Sequence, residues 1–262
     1  MRPIWKGAIS FGLVTIPVGL YPAREDKRPK FKQLRDSDHS AIKYRRVAES
    51  DGEEVPYEKI VKGYEIDKGR FVVFTSEELS DAISGITGGV VDVVQFVKAE
   101  EIDPIYYRNA YYLAPEKTGI KAYRILLDAL RDRGMIGLAK AAIREREYLA
   151  TIRAQDDVII METMYWPDEI REPAFDTLEE DVEIRAEEVK MAEMIIDNLT
   201  ADFDPLAWND ETRETIEALA RKKVEGEEIV ATAAAPQPAG VVDLMEALKA
   251  SVEATKEKRA AG

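Results

Sequence analysis

No cysteine occurs in the 262 residues, and His39 is the only histidine. Disulfides, thiolate nucleophiles, the usual zinc sites and His-dependent triads therefore lack raw material. The missing cysteine suits a reducing compartment. Long apolar runs are missing too, since no window approaches the roughly eighteen uninterrupted apolar residues of a membrane span. Lys6, Ser10, Thr15 and Pro17 interrupt the apolar N-terminal run, and no small-residue cleavage site follows it, so no secretory signal is expected. The expectation is a soluble cytoplasmic protein with no membrane partner. With 45% apolar residues the chain can bury a core for one large domain or two modest ones.

Nucleotide and metal motifs are equally scarce. The glycines of SGITGGV at 84–90 lack the Lys-Ser/Thr ending of a P-loop and the strand-to-helix setting of a dinucleotide fingerprint, and they read as a flexible loop. In ADFDPLAWNDE at 201–211, a calcium loop starting at Asp202 would place Leu206 and Arg213 where oxygen ligands belong, so turn and cap roles fit better. A serine–lysine pair stays open, with nothing pointing to one. No catalytic residue, metal or cofactor is expected.

What the chain has is segregated charge. Its net charge of −14 hides a first segment, 1–46, in which eleven cations face four anions, a net of +7. Residues 47–120 carry seven against fifteen (−8), 121–153 eight against four (+4), and 154–262 eleven against twenty-eight (−17). The densest basic stretch is 27–46, with Lys27, Arg28, Lys30, Lys32, Arg35, Lys43, Arg45 and Arg46, and with Phe31 and Tyr44 among them. Basic residues interleaved with aromatics suit a phosphate backbone. A solvated strand face balanced by acids elsewhere explains the same charge.

Apolar residues alternate at Ile9, Phe11 and Leu13 and then change register to Val14, Ile16, Val18 and Leu20, which predicts a bulge or bend, and Pro17 argues against an unbroken central strand. Further strands are predicted at 70–75, 91–99 and 109–114, and at 135–144, 146–154 and 157–166 as an antiparallel meander. One helix falls between them, with Tyr123, Leu126, Leu127 and Leu130 on one face and Gly134 as its stop. Many short strands with one helix predict a barrel or sandwich.

Past the prolines of 166–173 the pattern turns helical and acidic. Val189, Ala192, Ile196 and Leu199 share one helix face; a second helix has Asn209 as its cap and Gly226 as its end. ATAAAPQPAG at 231–240 reads as a linker. Beyond it, Val241, Leu244, Met245, Leu248 and Val252 form a narrow apolar stripe, suited to docking on a partner, to docking on the chain itself, or to a fraying tail.

These residues carry a resemblance. MRPIWKGAISFGLVTIPVGLYPA, YRRV at 44–47, DGEEV at 51–55, FVKAEEIDPIYYRNAYYLAPE at 96–116, METMYWPDEIREP at 161–173, EVKMAEMIIDNLTADFDP at 188–205 and VVDLMEALKASVE at 241–253 resemble the bacterial Ku family in order and over nearly the whole chain. The resemblance implies an α+β, mainly β fold: a Ku-type β-barrel core with a bridge or arm that completes a ring in the homodimer, followed by C-terminal helices. It implies sequence-independent binding of double-stranded DNA ends, threaded through that ring, and recruitment of an ATP-dependent DNA ligase for non-homologous end joining, without catalysis by this chain. The matching domain plan is 1–175 for the barrel core, including a basic strand and bridge at about 27–70, then 176–230 as a helical arm, the linker, and 241–262 as a partner-binding helix. Ala48 and Asp51 stand where the family often keeps a Cys-x-x-Cys pair, so a bridge without zinc is expected. Few lysines follow residue 253, so the lysine-rich DNA-binding tail of many members is not expected.

Charge and position near the presumed bridge make Lys27, Arg28, Lys30, Lys32, Lys43, Arg45 and Arg46 the first candidates for DNA contact, with Lys6, Arg24 and Arg35 next. Val241, Leu244, Met245, Leu248 and Val252 are the candidates for the ligase-facing stripe. Two other classes stand beside this one: a β-barrel protein-interaction scaffold without DNA-end specificity, favoured by the net acidity, and an enzyme acting on DNA ends, which the sparse catalytic inventory disfavours.

Overall fold

The structure, a computed structural model, describes residues 1–83, 89–143, 146–178 and 180–226. The alternating stretches that open the chain are a hairpin. β1 (Trp5–Phe11) pairs antiparallel with β2 (Val14–Pro22), from Trp5↔Leu20 to Phe11↔Val14. The register change is therefore a tight turn between two strands and not a bulge in one. Gly12 takes φ +59° at the first loop position, where two-residue hairpins favour glycine. Pro17 does not break β2 either. Its carbonyl accepts the Glu116 amide at 2.9 Å, just past the end of the neighbouring strand, so its lack of an N–H leaves no ladder bond unmade.

After β2 the chain forms a separate two-stranded sheet, β3 (Lys62–Asp67) with β4 (Arg70–Phe74), and a short helix α1 (Ser76–Ile83). It then supplies β5 (Val90–Lys98), β6 (Tyr107–Pro115), helix α2 (Ile120–Arg133), β7 (Met135–Ile143), β8 (Arg146–Gln155) and β9 (Val158–Met164). Seven strands close into a barrel in the order β1-β2-β6-β9-β8-β7-β5. β7, β8 and β9 form the antiparallel meander that the short connections predict. An odd ring cannot be antiparallel throughout, so one parallel seam is obligatory. It lies between β1 and β5, at Ala8↔Val90 to Ser10↔Asp92. Gly7 permits the approach there, because a Cβ would stand 2.1 Å from both the Gly89 carbonyl oxygen and the Trp5 ring.

Inward residues at period two fill the barrel, among them Ile9, Ile16, Leu20, Leu113, Ile152 and Met161, all fully buried. Helix α2 completes this core with Tyr123, Leu126, Leu127 and Leu130, spaced to lie on one face, and Gly134 ends it. Fully burying one such aliphatic side chain stabilises by about 1.5–3 kcal/mol, so this core holds the barrel together.

A second unit comprises Arg28–Phe31 and Pro173–Gly262. Its helices are α3 (Ala186–Leu199) and α4 (Glu211–Glu225), and neither has a buried residue. The half-covered row of α3 is Glu188, Met191, Ile195 and Asn198; the predicted stripe Val189, Ala192, Ile196 and Leu199 is exposed. Asp210, not Asn209, caps α4, accepting the Arg213 amide at 3.0 Å, because the carboxylate sits one residue nearer the free amides. Among the described residues no helix is long and apolar enough to cross a membrane. The loop core at 84–88, the linker 231–240 and the stripe Val241, Leu244, Met245, Leu248 and Val252 lie outside the described residues.

Candidate nucleic-acid interface

Past Pro22 the chain leaves the barrel and runs to Val61 without a strand. Two isolated bridges, Leu34↔Ala41 and Val47↔Glu54, and one 3-10 turn at Tyr57–Lys59 punctuate it. The predicted basic strand is thus an extended segment held by turns. Its lysines, charged residues and short apolar intervals give no face that a sheet could bury.

All ten predicted cations are exposed. Arg24 is tied at the barrel's edge: its Nη2 donates to the Arg108 carbonyl at 2.9 Å and to Asn109 Oδ1 at 3.0 Å. Both acceptors are neutral, so its charge is not cancelled. Arg46 holds its guanidinium 5.4 Å from the centroid of the Tyr57 ring. Lys27, Lys30, Lys32 and Lys43 make no ion pair among the described residues.

Lys6, Arg35 and Arg45 are engaged with acids. Lys6 Nζ meets Glu116 Oε1 at 3.0 Å, and this hydrogen bond raises the lysine pKa. Arg45 meets Glu54 Oε2 at 3.0 Å. Arg35 clamps Asp38 with two nitrogens, Nε donating to Oδ1 at 2.9 Å and Nη2 to Oδ2. Asp38 also accepts the Ser40 amide at 3.1 Å. The Arg35 clamp and then the Ser40 bond hold this carboxyl well below the usual carboxylate range. Such exposed pairs are screened by solvent and yield readily to a competing phosphate.

The ten do not share one unit. Arg28 and Lys30 group with the C-terminal unit, the other eight with the barrel. One cation near Arg24 escapes any reading of local charge. Arg108 follows the aromatic pair Tyr106–Tyr107, lies 5.4 Å from the Tyr165 ring centroid through the β6–β9 pairing, and meets the Arg24 edge through the β2–β6 pairing.

At Ala48 and Asp51 a tight turn closes on itself. Gly52 donates to the Ala48 carbonyl at 2.9 Å, Ala48 to the Glu53 carbonyl at 2.8 Å, and Glu53 to Asp51 Oδ1 at 2.9 Å. One carboxylate, already bonded to an amide, and no thiolate do not fit a zinc ribbon, and hydrogen bonds hold the turn instead.

Residues 10–191 match the family model of the Ku70/Ku80 beta-barrel domain. The chain is 48% identical over 259 residues to a protein of Frankia casuarinae named non-homologous end joining protein Ku, covering 99% of this chain and 65% of that one, so it spans just under two thirds of that relative. A protein of the same name from Heliobacterium modesticaldum is 42% identical, with 99% of this chain and 94% of the relative covered. One from Bacillus subtilis is 39% identical, with 98% and 83% covered. With its closed seven-stranded barrel and this agreement along its whole length, the chain belongs to the Ku family.

Proposed function

We propose that this chain binds ends of double-stranded DNA without regard to sequence, as a homodimeric ring that the duplex enters from a free end, and that it recruits an ATP-dependent DNA ligase for end joining in the bacterial nucleoid. The observation that carries the reading is the excursion between the barrel strands β2 and β5. Not one described residue from Ala23 to Gly89 is buried, yet the segment holds most of the predicted cations. It also exposes Phe31 at 78%, Tyr44 at 80%, Tyr57 at 72%, Tyr64 at 65% and Phe71 at 60%.

A two-stranded sheet with both faces bare is marginal on its own, and large apolar side chains exposed in number along one segment suit an interaction site. A second copy would cover the apolar side chains. Phosphates would meet the cations, adding affinity without reading bases. His39, the single histidine, sits in an exposed turn at φ 55°, and binding needs no catalytic group.

The test is a titration on one DNA sequence, as a linear duplex and as a covalently closed relaxed circle, at 50 and 200 mM salt. Threading predicts binding of the linear form alone. If six to ten phosphates are neutralised, affinity falls about a thousandfold to a hundred-thousandfold across that range. Equal binding of both forms overturns threading, and no binding of either leaves the protein-scaffold reading. Deleting 241–262 should abolish ligase stimulation with end binding intact; unchanged stimulation removes the stripe from that role.

A further inference from the structure

The two ends of the barrel differ. Helix α2 seals the end where β6 finishes and β9 begins, with Tyr123 bonded to Leu113 and Ile159. At the opposite end, where β1 and β8 begin and β7 and β9 finish, a cavity of about 550 Å³ opens between Ile4, Leu20, Tyr111, Tyr148, Thr163 and Arg146. A second hollow of about 240 Å³ shares Arg146 and Tyr148 with the first and adds Trp166 and Arg108. A third, of about 330 Å³, shares Arg108 with the second and adds Arg24 and Tyr107. Shared lining residues set the three side by side, as a track of hollows around this mouth.

Cations stand at both junctions, and half-buried aromatic rings line each hollow. Three described acids line these hollows, and each has a partner. Glu162 is clamped by Arg153 at 2.9 Å, Glu169 accepts the Trp166 amide at 2.8 Å, and Glu147 lies 3.9 Å from Lys140. Arg108 and Arg146 make no ion pair among the described residues. The track offers flat rings and positive charges in alternation. Its complement is a flexible polymer with one flat ring and one negative charge per unit, which is single-stranded nucleic acid. A duplex does not qualify, because its bases are stacked on one another.

We propose that this barrel mouth binds the single-stranded overhang of a DNA end, stacking bases on Tyr148 and Trp166 and holding phosphates with Arg108 and Arg146. The proposal rests on the end-binding reading and adds a second contact to it, separate from the basic segment 27–46. Overhanging ends would then be gripped more tightly than blunt ones and their unpaired bases kept from solvent.

The experiment uses the full chain and a duplex blocked at one end, whose other end is blunt or carries a dT12 overhang, together with free dT12. Fluorescence anisotropy should show the overhanging duplex bound about tenfold more tightly, the scale of a stacked base or two. Tyr148→Leu, which keeps bulk without a π face, and Arg146→Gln should each cut that advantage below twofold, leaving blunt-end affinity unchanged. Tyr148→Phe should restore it. Equal binding of blunt and overhanging duplexes, or an advantage that survives both variants, overturns the proposal. Should the blunt duplex fail to bind while dT12 binds in a Tyr148-dependent way, the ring reading falls and the track stands. Should nothing bind, both fall.

Discussion

Tyr123 reaches out of helix α2 to accept the amide of Ile159 at 2.7 Å, and its own proton goes to the Leu113 carbonyl at 2.6 Å. Leu113 and Ile159 are the last partners of the β6–β9 ladder, so one hydroxyl joins the helix to two strands where their own pairing stops.

Tyr123→Phe keeps the ring and strands a buried N–H and C=O. A loss of about 1–3 kcal/mol in urea unfolding is expected. Burial pushes the Tyr123 phenol up, so its contribution is complete below the unfolded tyrosine value near 10 and is lost as pH rises through the folded one. Alkaline melts should therefore narrow the gap between the variant and the parent.

Arg153 and Glu162 form a two-bond pair across β8 and β9, Nε to Oε2 at 2.9 Å and Nη2 to Oε1 at 3.3 Å, with the carboxylate side chain only 18% exposed. Glu162→Gln should cost about 1.5 kcal/mol, the lower end for charge-assisted bonds because Arg153 is a third exposed. Thermal melts at low and high salt would check this, with a smaller difference at high salt.

Asp38 occupies the Arg35 fork. Asp38→Asn frees that fork for a phosphate, and at 0.1 M salt one added contact raises DNA affinity by up to about eightfold, from a slope near −0.9 per phosphate. Because the clamp depresses the carboxyl pKa, the pairing is present above the ordinary carboxylate value and is lost only as pH falls through the lower folded one. A carboxyl carbon titration by NMR should place the Asp38 transition well below the ordinary carboxylate range.

The β3–β4 sheet sets Tyr64 opposite Val72 on one bare face. If a second copy covers it, Tyr64→Ser with Val72→Ser should convert a dimer to monomer in sedimentation and leave the barrel's melting transition in place. A dimer that persists would move the interface elsewhere.

Much of the barrel was legible because its strands bury one face, and burial writes period two into Ile9, Ile16, Val91 and Ile152. The hairpin at Gly12 was misread because a two-residue turn and a bulge produce the same slip in alternation. β3 was missed because its apolar row is only Tyr64 and Ile66, too short an alternation beside Gly63, Glu65 and Asp67 to mark a strand. α1 left a signal that went unread: Thr75 and Glu78 form a reciprocal capping box, Glu78 donating to Thr75 Oγ1 at 3.1 Å and Thr75 to Glu78 Oε2 at 2.8 Å. Lysines and arginines could be counted from sequence, but their partners could not. Asp38 and Glu54 lie near their cations in the chain, whereas Glu116 reaches Lys6 only through the fold.

The barrel closes through β1 and β5, and everything from 23 to 89 lies between the strands on the way to that seam. For the closing strands this insertion is a loop, and loop entropy grows only logarithmically, so doubling its length would cost about 0.6 kcal/mol. Lengthening or trimming the excursion is therefore nearly free in stability, and its span can drift over evolution to suit whatever it must reach around while the barrel stays the same.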